Sequence, residues 1–221
     1  MKLVSPLFNS IIEISDGAVA SLVIENQDLF RAFLTDIALQ IGGEDGQAVL
    51  SRDNKPIALS KNAELLREFA PFEINTKTMQ TRIVSELETF ASNETNWLRT
   101  SELIGQFERF ITDLSLELPC DVECSKLTFG SMLKAAGVSA ICRSDEPIGA
   151  VLEYMELIRA LCGRRLFIAV NMRSFFSDQK MELFAKDVIA KKLVLLLLEG
   201  CDRPRLENER RWTIDRDLCE F

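Results

Sequence analysis

The sequence predicts an α/β fold: a mostly parallel sheet of a nucleotide-binding architecture, with a helical arm projecting from it. Three observations carry this. Between Arg164 and Gly200, two apolar runs, Leu166 to Val170 and Leu193 to Leu198, flank one amphipathic stretch. Neither run alternates with polar residues, the pattern of parallel strands covered on both faces, while Phe184, Val188 and Ile189 mark the buried stripe of a crossover helix. This is a βαβ unit, whose crossover is expected to be right-handed. Secondly, from Ser60 to Ser139 the apolar period becomes helical. Thirdly, nothing reads G-x-x-x-x-G-K-[ST] or G-x-G-x-x-G, so the architecture comes without the glycine-rich turn that would hold a phosphate.

In chain order, Lys2 to Leu7, Ile11 to Ile14 and Val19 to Ile24 read as short strands, with Ser15-Asp16-Gly17 turning the last two into a hairpin. Asn26 caps a helix carrying Leu29, Phe30, Phe33, Ile37 and Ile41, stopped by Gly42-Gly43. Ala48 to Leu50 and Pro56 to Leu59 flank Arg52-Asp53-Asn54-Lys55, a hairpin by composition. Asn75 can cap a helix with Met79, Ile83, Leu87 and Phe90 on one stripe. Asn93 can cap a longer one, whose Trp97, Ile104, Phe107, Ile111, Leu114 and Leu118 recur at heptad-like spacing. The pair reads as an antiparallel arm, or more simply as two core helices. Pro119 ends it, and Gly137 closes a helix over Leu127 to Ala136. Val138 to Ile141 is a candidate strand, Pro147 opens a helix that Gly163 ends, and Arg211 to Phe221 is the candidate final strand. The predicted domains are therefore 1–59 with 140–221 as an α/β head, and 60–139 as a helical leg.

At 221 residues and 47% hydrophobic content the chain can bury a sizeable core without staples. The longest apolar run falls far short of the ~20 residues of a membrane span, and MKLVSPLFNSIIEIS lacks the apolar block of a signal peptide, so a cytoplasmic protein without a membrane partner is expected. The 6 cysteines form no C-x-x-C pair and there are 0 histidines, which argues against zinc and against Ser-His-Asp or Cys-His catalysis. Cys120 and Cys124, the closest pair, read as ordinary reduced thiols. A net charge of −8 argues against indiscriminate nucleic-acid binding, but not against basic groups confined to one face.

Three constellations could carry chemistry. Glu117, Asp121 and Glu123 lie on a segment that Pro119 keeps from being helical; hard oxygen ligands on irregular backbone suit calcium, although a solvated acidic loop has the same composition. Asn171 ends the first βαβ strand where nucleotide hydrolases keep a metal-binding Asp, and a neutral amide holds magnesium poorly. Together with the missing phosphate turn at Glu25-Asn26-Gln27-Asp28, this predicts no nucleotide cofactor and no hydrolysis. The basic set comprises Lys126, Lys134 and Arg143 around the acidic loop, then Arg164-Arg165, Lys191-Lys192 and Arg203, Arg205, Arg210 and Arg211. The last group reads as a solvated face because Glu207 and Glu209 intervene.

LFIAVNMRSFFSDQKMELF followed by LVLLLLEG, the upstream LKAAGV turn, the helix EYMELIRALCGRR and the strand-helix VIENQDLFRAFL resemble, in this order, the second Csn family of type II-A CRISPR systems, in its shorter branch. The resemblance implies a degenerate P-loop-NTPase-like head with an inserted helical leg. It further implies a ring-shaped homotetramer that threads double-stranded DNA from its ends, structural calcium near the head-leg junction, and no catalysis. The role implied is spacer acquisition, in antiviral adaptive immunity, alongside the CRISPR integrase and the effector nuclease. The family's acidic segment matches at Asp121 and Glu123, whereas Ser125 and Lys126 replace other acidic positions. Lys134 falls at a basic position of the inner ring surface and Ser139 at a lysine position. The metal candidates are thus Glu117, Asp121 and Glu123, and the DNA-binding candidates Lys126, Lys134 and Arg143. A degenerate ATPase-like scaffold that binds only protein partners is the competing reading.

Overall fold

The computed structural model describes residues 1–123 and 125–221, and the chain divides into two compact units, Met1–Glu73 with Cys142–Phe221, and Ile74–Ile141. The first unit, the head, contains β1 (Lys2–Val4), β2 (Ile12–Glu13), β3 (Val19–Ile24), α1 (Gln27–Gly42), β4 (Val49–Arg52), β5 (Lys55–Ile57), α2 (Leu59–Asn62) and β6 (Ala63–Leu66). The second unit, the leg, contains α3 (Lys77–Ala91), α4 (Trp97–Ser115) and α5 (Phe129–Ala135). The head resumes with α6 (Pro147–Cys162), β7 (Leu166–Val170), α7 (Asp178–Ala190), β8 (Val194–Glu199) and β9 (Glu209–Ile214).

The head's main sheet has the order β6-β7-β8-β3-β9, parallel throughout. β3 is buried at all its positions, as are β7 and most of β8, which explains their unbroken apolar sequence. One face, through Leu22, Ile24, Ile168, Leu196 and Ile214, shares a core with Phe33 and Ile37 of α1. The same core takes in Leu3, Ile12 and Leu50 from a second, antiparallel sheet of order β2-β1-β4-β5. The hairpin β4-β5 turns on Asp53 and Asn54, both at positive φ, the two-residue turn that such residues favour. α1 starts where the Asn26 side chain accepts the Leu29 amide, and ends at Gly43, whose φ of 96° only glycine adopts readily.

Several expectations shift. Val19–Ile24 does not form a hairpin with Ile11–Ile14: one bridge, Ser15 with Ala18, closes the turn, after which the two segments enter different sheets. A strand buried on both faces has no place at the edge of a hairpin. The head continues past residue 59 to Glu73, because Ala63–Leu66 is not helical but pairs in parallel with Leu166–Ala169. At the other boundary, Asn75 does not cap α3; Thr76 does. Asn75 instead donates to the Ala140 carbonyl and accepts its amide, at 3.0 and 2.8 Å, so 140 and 141 belong to the leg and Val138–Ile141 forms no strand. The last strand runs 209–214 rather than 211–221; the chain then reverses, and Phe221 pairs with Thr213 through both backbone groups.

Within the leg, α3 packs on α5 through Gly130, where any side chain would strike the Glu88 carboxylate. α4 spans 19 residues, about 28 Å. Its start is later than Asn93, whose side chain accepts the amides of Thr95 and Asn96 in the turn before it. Among its residues none is buried, although Trp97, Leu98, Leu103, Phe107, Phe110 and Leu114 lie along it.

Candidate nucleic-acid interface

In α/β sheets of this type ligands sit outside the carboxyl ends of the strands, next to the turn after the first parallel strand. Here that turn is β3 to α1 and consists of Glu25 and Asn26 alone. Asn26 is spent on both sides: its Oδ1 accepts the Leu29 amide and its Nδ2 donates to the Arg216 carbonyl, each at 3.1 Å. At the end of β7, Asn171 adopts a left-handed conformation, and its Oδ1 accepts the Gly200 amide at 2.8 Å, tying the ends of β7 and β8 together.

Next to it lies a buried charged network that the sequence did not announce. Arg173, 4% exposed, donates to Asp178 Oδ1 at 2.8 Å and to the Pro204 carbonyl at 2.7 Å. Its amide donates to Glu199 Oε1 at 3.1 Å. Burial pushes the Glu199 carboxyl up to about 7, against the opposing pull of Arg173. Glu209 goes the other way: burial alone would raise it, but Arg211, which donates to it at 2.7 and 2.9 Å, and the Leu206 amide hold it below the usual carboxylate range. Arg211, expected on a solvated face with Glu209, is therefore an interior residue, 5% exposed at its side chain. Alternation along β9 explains this: Ile214 and Trp212 face the apolar core, so Arg211 and Glu209 face the opposite side.

The cation candidates separate by partner. Arg164 pairs with Glu64, whose other oxygen accepts the Tyr154 hydroxyl at 2.7 Å; Lys191 pairs with Glu156 and Arg210 with Glu13. Lys126, Lys134 and Arg143 are exposed and make no ion pair among the described residues, and the same holds for Arg165, Lys192, Arg203 and Arg205. Lys126 precedes α5 and Lys134 ends it, in the leg, whereas Arg143 belongs to the head. Lys134 shares a notch with Lys77, a cation that sequence reading passed over.

Glu117, Asp121 and Glu123 are all exposed, on the segment after α4. Among the described residues no three His, Cys, Asp or Glu side chains form a metal-holding group. Cys120 is an exposed free thiol, and Cys124 lies outside the described residues. No helix among the described residues is long and apolar enough to cross a membrane.

The fold thus defines a class: an α/β head on a five-stranded parallel sheet, with a two-residue turn after β3 and Asn171 at the end of β7, and an inserted helical leg. A solved structure similar to the chain is a putative ABC transporter ATP-binding protein from Pyrococcus furiosus, 10% identical, with a TM-score of 0.38 over 92% of this chain and 88% of that one. The family model for the CRISPR-associated protein Cas_Csn2 matches residues 40–218. The chain belongs to the Cas_Csn2 family and is a protein of CRISPR adaptation.

Proposed function

We propose that this protein is a non-catalytic, sequence-independent binder of double-stranded DNA ends, acting as a homotetrameric ring in spacer acquisition with the CRISPR integrase and the effector nuclease. The observation that carries the reading is that Lys126, Lys134 and Arg143 are among the exposed cations without a carboxylate partner among the described residues, in a chain of net charge −8. Unpaired ammonium and guanidinium groups release DNA counterions on binding, whereas cations already neutralised by a carboxylate do not. No recognition-helix motif accompanies them, which favours backbone contact over base reading. The two-residue β3–α1 turn, closed by Asn26, supports the absence of nucleotide chemistry. The exposed apolar side of α4 supports assembly, since a face of that size on a lone chain is costly to leave in water.

The net charge of −8 favours the competing reading, a scaffold that binds protein partners only. A gel shift with one duplex presented linear and as a covalently closed circle, at matched salt, separates the two. Retention of the linear form alone is the expected result; equal retention contradicts the ring, and no retention of either favours the scaffold. The family resemblance implies structural calcium near the acidic segment. A melting temperature raised by calcium and lowered again by Asp121→Ala would assign the ion to the acidic segment; an unchanged one removes it.

A further inference from the structure

The leg carries a notch of about 280 Å3 whose polar lining is made of hydrogen-bond donors and contains no carboxylate. One wall is a single face of α3, where Lys77, Gln80, Thr81 and Val84 stand at i, i+3, i+4 and i+7. The other is the end of α5, with Lys134 and the following Gly137 and Val138. Val84 is buried and forms part of the floor, while Lys77, Gln80, Thr81 and Lys134 are exposed. Neither lysine makes an ion pair among the described residues, in a chain with 34 acidic side chains against 26 basic ones.

The position of Lys77 is unfavourable for the free protein. It opens α3, directly after the Thr76 cap, and the first turn contains no acidic residue. A cation there meets the positive end of the helix dipole, and an anion in the same place would be stabilised by both. Two ammonium groups, an amide and a hydroxyl around one concavity complement a tetrahedral oxyanion, and the size admits a phosphodiester with part of its sugar.

We propose that this notch seats a backbone phosphate of the bound duplex, with Lys77 and Lys134 neutralising it and Thr81 and Gln80 fixing its orientation. This rests on the DNA-binding reading above. The test is fluorescence anisotropy of a linear duplex across a salt series, with the intact protein and Lys77→Gln, Thr81→Val and Lys77→Gln/Lys134→Gln variants whose melting temperatures match it. Each lost phosphate contact lowers the slope of log affinity against log salt by about 0.9. Lys77→Gln is expected to flatten the slope by up to that amount and the double variant further, with Thr81→Val weakening binding at constant slope. A double variant with the wild-type slope overturns the notch while the intact protein's binding upholds the DNA reading; an intact protein that binds no duplex overturns both. Inorganic phosphate distinguishes the source: if phosphate alone perturbs the Gln80 and Thr81 NMR signals while duplex DNA does not, the notch takes a free oxyanion and the proposal fails.

Discussion

Glu199 ends β8 almost wholly buried, with one carboxylate oxygen accepting the Arg173 amide and the other without a partner among the described residues. Burial is the dominant influence and raises its folded-state pKa to about 7. The Arg173 and Arg203 charges pull it down and Glu209 pushes it up, but desolvation prevails. The sign follows: the folded protein holds this proton more tightly than the unfolded chain, so the contribution of Glu199 to stability is most favourable at low pH and declines as pH rises from the ordinary carboxyl range through about 7. Glu199→Gln keeps the acceptor for Arg173 and cannot ionise. It is therefore expected to remove a decline of about 2 kcal/mol between pH 5.5 and pH 8, read by urea unfolding at the two values. Parallel pH profiles for the two proteins would show that Glu199 does not titrate in this window.

α4 is the element whose sequence and surroundings agree least. Its amphipathic pattern demands an apolar partner, yet Trp97, Phe107 and Phe110 remain exposed at 55%, 45% and 59%. Burying three such rings would contribute several kcal/mol at about 25 cal/mol per Å2. A second copy, as proposed above, would supply a matching face by symmetry. Neither Phe107 nor Phe110 is buried in the folded unit, so Phe107→Asp with Phe110→Asp should leave the circular dichroism unchanged while light scattering reports a smaller assembly. An unaltered mass would place the assembly face elsewhere. By contrast, the 215–221 segment is already occupied: Glu220 accepts the amides of Asn9 and Ser10, each at 2.7 Å, and the Ser10 hydroxyl at 2.6 Å, so its carboxyl lies below the usual range despite the desolvation that opposes this.

At the scale of the molecule, the sequence disclosed what depends on neighbours along the chain and missed what depends on distant ones. β7, α7 and β8 were legible because both faces of the strands are covered and one face of the helix is, which stamps apolar runs and a helical stripe on the sequence. β6 was not, because Glu64 interrupts Ala63-Glu64-Leu65-Leu66; it is tolerated inside only through Tyr154 and Arg164, far away in the chain. For the same reason Arg211 and Glu209 read as surface charges, their burial depending on Arg173 and on the carbonyls of Arg203 and Pro204. The missing phosphate turn was legible as a motif, whereas Lys77 looked like any lysine opening a helix, and only the end of α5 makes it half of a donor-lined notch. In the proposed function, duplex DNA enters this protein through its ends. A linear duplex with a biotin at each terminus tests it most directly, by adding streptavidin either before or after the protein and then washing at high salt. DNA blocked after loading is expected to stay bound through the wash, and DNA blocked beforehand is expected not to bind. Equal binding in the two orders of addition would contradict threading.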